Sequence, residues 1–135
     1  MDSVVHFEMP YENRERMAKF YQSAFGWQTQ LLGADMNNYV LANTTETGDA
    51  GPLKPGAING GFYGKMPDRP MQNPSVVIAV QDMKQSVQKV AAAGGKVLGD
   101  PMDIPGVGKY VSFVDPEGNR VSMLQPLPRG GQAPK

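Results

Sequence analysis

His6 is the only histidine in the chain, and Glu8 follows it by two residues inside the strand-like run Val4–Met9. Side chains alternate between the faces of an extended strand, so residues two apart share one face. An imidazole beside a carboxylate is a minimal acid–base device: the carboxylate raises the imidazole pKa and fixes its orientation, as a general base requires. The same two groups are also potential donors to a divalent ion. Catalytic metal sites, however, take about three protein ligands and keep one position open. With no cysteine and no second histidine, only a weak divalent site at His6 and Glu8 is expected, and no other cofactor. A lone strand histidine also serves simply as a hydrogen-bonded structural residue, and Glu8 as the partner of an Arg or Lys.

Strand parity supplies further candidates. Tyr39, Leu41 and Asn43 share one face of a strand; so do Asn59, Gly61 and Tyr63, and so do Arg120, Ser122 and Leu124. A pocket walled by Tyr39, Trp27, Asn59 and Ser122 would be mainly apolar with a few convergent polar groups, the usual make-up of a small-molecule site. Trp27 follows a helix stop, so it also suits stapling helix to sheet. Gly60-Gly61 lies inside a strand-like run without the Lys-Ser/Thr ending of a phosphate loop. It predicts a bulge or a close backbone approach to a ligand.

The elements that must position these residues are written twice. Val4–Met9, Asn13–Phe25, Gly26–Leu32, Met36–Asn43 and Ala57–Gly64 read as strand, helix and three strands. Ser75–Val80, Asp82–Ala93, Gly95–Asp103, Tyr110–Val114 and Arg120–Gln125 repeat that order. In the first helix, Met17, Phe20, Tyr21, Ala24 and Phe25 form an apolar stripe, with Asn13 as N-cap and Gly26 as stop. In the second, Met83, Val87, Val90 and Ala91 form the stripe, Asp82 with Gln85 resembles a capping box, and Gly94-Gly95 end the helix. The interval from cap to glycine is thirteen residues in both copies, which points to duplication. Thr44–Gly56 is a long loop, and Asp115–Asn119 is turn chemistry between the last two strands. The expected organisation is a first module at 1–65, a linker at 66–74 rich in proline, a second module at 75–126, and a pliant Pro- and Gly-rich tail at 127–135, the modules forming one structural domain.

Composition narrows the function classes. At 135 residues the chain suits one domain with a real core. Thirteen basic residues balance thirteen acidic ones, so neither nucleic acid nor an anionic membrane is an expected partner. The apolar runs are strand-length, too short for a membrane helix. The absence of cysteine and of a leader-like N-terminus fits a cytoplasmic protein.

VHFEMPYENRERMAKFYQSAFGW, INGGFYG, SVVIAVQDMKQSVQKVAAAGGKV and YVSFVDPEGNRVSML resemble the vicinal oxygen chelate superfamily, which includes glyoxalase I, bleomycin-resistance proteins, extradiol dioxygenases and fosfomycin-resistance proteins. The similarity runs from about Val4 to Gln125. It implies an α+β fold in which two tandem βαβββ modules form curved mixed sheets around a cleft, commonly within a homodimer. The superfamily's metalloenzymes hold a divalent ion with four strand side chains. Carried onto this chain, the first falls on His6, the second on Ser75 and the last on Ser122. The remaining one falls near Asn59–Gly61, where no acid or histidine stands between Asp49 and Asp68. One ligand type of four is therefore retained. The resemblance implies a glyoxalase/bleomycin-resistance-like protein that binds a small organic molecule in the inter-module cleft at His6, Glu8, Trp27, Tyr39, Asn59, Gly61, Ser75 and Ser122. The alternative is a glyoxalase-related lyase, isomerase or dioxygenase using His6, with Glu8, as catalyst.

Overall fold

The computed structural model describes residues 1–69 and 71–128; most of the expected tail, 129–135, lies outside the described residues. In chain order the elements are β1 (Val4–Tyr11), α1 (Arg14–Phe25), β2 (Gln28–Leu31), a 3-10 turn (Ala34–Met36), β3 (Val40–Asn43), β4 (Thr47–Gly48), β5 (Gly51–Pro52), β6 (Asn59–Gly64), β7 (Ser75–Ala79), α2 (Met83–Ala92), β8 (Lys96–Ile104), β9 (Gly108–Val114) and β10 (Arg120–Pro126). Two compact units result: Val5–Val76, and Met1–Val4 with Val77 onward. No helix among the described residues is long and apolar enough to cross a membrane.

In the first unit the strands lie in the order β2-β3-β6-β1. β1 runs parallel to β6, and the other pairs are antiparallel. The parallel pair needs a long crossover, which α1, β2 and β3 supply. Asn13 caps α1 as its spacing predicts: its Oδ1 accepts from the Arg16 backbone N–H at 2.9 Å. Gly26, at φ 74°, turns the chain out of the helix while its N–H donates to the Gln22 carbonyl; a left-handed residue there is where glycine is favoured. The apolar stripe is phased differently from the expectation. Ala18 is buried, Met17 and Tyr21 pack on the core of Val40, Ala42 and Phe62, and Phe20 and Phe25 remain 56% and 64% exposed. Five apolar residues in two turns form a wider stripe than one sheet face covers, and tertiary packing chooses which of them go inside.

The second unit repeats the plan. Its strand order is β7-β10-β9-β8, with β10 parallel to β7. Asp82 caps α2, accepting from the Gln85 backbone N–H at 3.1 Å, and Met83 N–H is met by Gln125 Oε1 at 2.7 Å. After the helix, Gly95 N–H donates to the Val90 carbonyl at 2.9 Å. Val80, Met83, Val111, Phe113 and Met123 form the core, with Val87 and Val90 packed on it; Ala91 is exposed. At the Asp115–Asn119 turn, the Asp115 carboxylate accepts backbone N–H groups of Glu117 and Asn119. The Asn119 side-chain amide also donates to it, Nδ2 to Oδ2 at 3.0 Å; that bond first, and the backbone bonds after it, favour the ionised form and hold its pKa below the usual carboxylate value.

Candidate functional site

Tyr39 is delivered to the site by a strained turn. Asn37 and Asn38 take positive φ angles of 54° and 56°, a region that asparagine tolerates better than most residues. The Tyr39 carbonyl accepts from Leu32 N–H at 2.8 Å, and Tyr11 Oη donates to the Asn38 carbonyl at 2.7 Å. The turn is thereby tied to both β2 and β1. In the sheet, Leu41 of β3 stands opposite Gly61 of β6, which stands opposite Glu8 of β1. Tyr39, two residues before Leu41, shares that face. Its ring lies over Gly61, and a Cβ built there would sit closer to the ring than the 3.0 Å that real Cβ atoms keep. The β1–β6 register runs unbroken through Gly60 and Gly61, so the expected bulge does not form. The glycines instead make room for two rings, Phe7 at Gly60 and Tyr39 at Gly61.

Crossing Gly61 brings the Tyr39 hydroxyl to β1. It donates to Glu8 Oε2 at 3.0 Å and lies 3.1 Å from His6 Nε2. Because its one proton goes to the carboxylate, the hydroxyl accepts from Nε2–H. That fixes His6 as the Nε2–H tautomer and leaves Nδ1 as the basic nitrogen. Glu8 is 9% exposed. Burial lowers the His6 pKa from its ordinary 6.5, a shift partly opposed by the Glu8 charge. The ring is thus neutral at pH 7, with its lone pair available as a proton acceptor.

The other candidates named from the sequence distribute unevenly. Asn59 lies opposite His6 in the β1–β6 register, but its amide is engaged elsewhere. Its Oδ1 accepts Thr44 N–H at 2.9 Å, and its Nδ2 donates to Thr47 Oγ1 at 2.7 Å. It anchors the loop that carries the β4–β5 hairpin. Trp27 does not join Tyr39. It stacks on Tyr21 at 4.6 Å between ring centroids and packs near Phe7 at 5.5 Å, on the opposite face of β1 from His6 and Glu8 by parity. The expected wall of Tyr39 with Trp27 is corrected accordingly: the two rings lie on opposite faces because strand parity separates them. Trp27 staples α1 to the sheet and lines an open apolar groove of about 670 Å³ together with Phe7, Met9, Tyr21, Phe25 and Ser75. Ser122 belongs to the second unit, 1% exposed, with Tyr110 Oη at 2.7 Å and Ser112 Oγ at 2.8 Å. What sequence reasoning missed is the joining of Tyr39 to both His6 and Glu8. The only signal was their shared parity with Gly61.

The donor set does not suit the four-ligand metal of the superfamily's enzymes. Ser75 lines the apolar groove, Ser122 spends its hydroxyl on Tyr110 and Ser112, and the Tyr39 phenol stands between His6 and Glu8. Among the described residues no group of three or more His, Cys, Asp or Glu is placed to hold one ion. The arrangement is equipped for directed hydrogen bonding and for moving a proton at Nδ1.

Comparison with known proteins agrees with the architecture. The profile of the glyoxalase-like domain matches residues 6–124. A glyoxylase-like domain-containing protein of Didymella fabae is 35% identical over 115 residues, spanning 83% of this chain and 84% of that one. The protein CFP32 of Mycobacterium bovis is 34% identical over 112 residues; these are 82% of this chain but only 39% of CFP32. Among solved structures, methylmalonyl-CoA epimerase from Mycobacterium tuberculosis aligns with a TM-score of 0.65 at 11% identity, covering 93% of this chain and 89% of the epimerase. A hypothetical protein of Bacillus halodurans aligns at 0.68 and 10% identity, covering 97% and 99%. At such identities the likeness is one of fold alone. With nearly the whole chain matched by the domain profile and by a relative of similar length, this protein belongs to the glyoxalase-like domain family.

Proposed function

We propose that the His6–Tyr39–Glu8 face of the first unit binds a small organic molecule bearing a carbonyl group, without a tightly held metal ion. The observation that carries this reading is the hydrogen-bonded chain from His6 Nε2 through the Tyr39 hydroxyl to Glu8 Oε2. It orients a neutral imidazole, and its members come from strands brought together only by folding. Relatives that carry the word glyoxylase in their names support carbonyl chemistry. The role is that of a binder or carrier like the bleomycin-resistance branch. A catalytic reading is favoured by one feature, the lowered His6 pKa. Nδ1 would take a proton from the carbon next to a carbonyl and return it at a neighbouring atom, an isomerisation that needs no added reactant. The exposed Phe20 and Phe25 on α1 support the homodimer implied by the family, and the lack of cysteine supports a cytoplasmic setting.

Thermal-shift measurements on metal-stripped protein with a panel of small carbonyl compounds test the reading, since a ligand that binds the folded state raises the melting temperature. The expected result is a shift in the wild type that His6→Ala abolishes while the variant still folds. A shift that survives His6→Ala, or that appears only after a divalent ion is added back, would overturn it. Velocity sedimentation tests the homodimer.

A further inference from the structure

The two units differ at one position that decides what their equivalent tyrosines can reach. An offset of 69 residues relates Asn13 to Asp82 and Gly26 to Gly95, and the same offset relates Glu8 to Val77. Glu8 stands opposite Gly61, and Gly61 opposite Leu41. Val77 stands opposite Ser122, and Ser122 opposite Ser112. Gly61 and Ser122 are therefore equivalent, as are Leu41 and Ser112, and so Tyr39 and Tyr110 two residues earlier. Tyr110 meets the Ser122 hydroxyl at 2.7 Å on the neighbouring strand. Tyr39 finds only glycine at the matching place, passes over the bare Gly61 backbone, and reaches Glu8 and His6 one strand further on.

We propose that Gly61 is the positioning residue of the first unit: the lack of a side chain there lets the Tyr39 ring cross β6 and join His6 to Glu8. The inference deepens the functional reading above and rests on it for its significance, though not for its test. The φ angle of Gly61 is not in the left-handed region, so backbone freedom does not demand glycine. Space does. A serine at 61 fills the volume of the ring and offers a nearer hydroxyl, which is the arrangement the second unit already shows at Ser122. The site would then lose the tyrosine hydroxyl that orients the imidazole, with His6 and Glu8 both still present.

Because His6 is the only histidine, its ring titration in untagged protein is read without ambiguity by two-dimensional NMR. Tyr39→Phe removes the hydroxyl that accepts from Nε2–H, and it is expected to move the His6 titration midpoint in the Gly61 background. In a Gly61→Ser background the same change is expected to leave the midpoint where it was. An equal shift in both backgrounds overturns the proposal. If Gly61→Ser does not fold, the crowding argument supplies the second arm: Tyr39→Ala removes the ring, so the Tyr39→Ala/Gly61→Ser protein folds and melts near Tyr39→Ala alone. Failure of that double variant to fold, or a loss of melting temperature as large with the ring absent as present, also overturns the proposal. No ligand enters either arm, so a failed ligand screen would sink the functional reading and leave this inference standing.

Discussion

The first unit keeps an ionisable pair on its sheet, whereas the second, built to the same plan, carries hydroxyls at the comparable face. Tyr39, His6 and Glu8 form the polar chain in one; Tyr110, Ser122 and Ser112 form it in the other, with Arg120 Nη2 donating to Ser112 Oγ at 3.2 Å. The cores differ in kind too. Phe62 and Trp27 lie among Phe7, Tyr11 and Tyr21 in the first, whereas the second is mostly aliphatic around Met83 and Met123. Duplication fixes the backbone plan, but a few side-chain exchanges decide which copy can hold a titratable site. The serine network of the second unit satisfies its own polar atoms and holds a strand pair in register, as cross-strand partners do. The first unit's chain includes His6, a group that gains charge on acidification, its pKa held below the ordinary 6.5 by burial.

Predictions that break or sharpen this contrast run from the cores outward. Phe62 is fully buried at the centre of the aromatic cluster, so Phe62→Ala is expected to lower stability by about 3–5 kcal/mol in denaturant unfolding. Met123→Ala in the aliphatic core should cost roughly 2–5 kcal/mol, and flexible neighbours such as Met83 should relax into part of the space. A larger loss at Met123 than at Phe62 would contradict the ranking of the two cores.

The helix caps should behave alike, because they are local and duplicated. Asn13→Ala and Asp82→Ala are each expected to cost about 1 kcal/mol, with the two losses equal within error. A clear inequality would mean that one cap is supported by its surroundings. The Met83 N–H bond to Gln125 is the first place to look, and Gln125→Ala would reveal it.

Titration should separate the units further. Burial holds the folded His6 pKa below its ordinary 6.5, so the unfolded chain binds that proton more readily. The contribution is fully present above about 6.5 and is lost as pH falls through the lower folded value. Melting temperature should therefore decline on acidification below that point, and His6→Gln should flatten the decline. A variant with the same slope as the wild type would remove His6 as the cause. The smallest effect belongs to the Lys109–Asp103 pair of the second unit, 3.0 Å apart with both side chains largely exposed. Asp103→Asn is expected to change stability by less than about 0.5 kcal/mol, since surface pairs are screened; a larger effect would show an unrecognised coupling.

Local signals are legible in this chain and long-range ones are not. Asn13, Gly26, Asp82 and the Asp115 turn act where their spacing puts them, because capping and turn chemistry involve neighbours a few residues apart. The phase of α1 is hidden because Phe20 and Phe25 are as apolar as the residues that go inside. Asn59 has the parity of a pocket residue, yet its amide ties down Thr44 and Thr47, a contact that depends on how the intervening loop folds back. Trp27 is near Tyr39 in the chain, although the faces of the sheet separate their rings.

The repeated βαβββ plan, its caps and the shared face of His6 and Glu8 follow from the order of residues alone, because periodicity and capping act over a few positions. Only the folded chain joins Tyr39 to His6 and Glu8 across 33 and 31 positions. That meeting requires β3, β6 and β1 to lie in one register with a glycine in between, and register is set by the packing of whole strands rather than by any neighbourhood of the sequence.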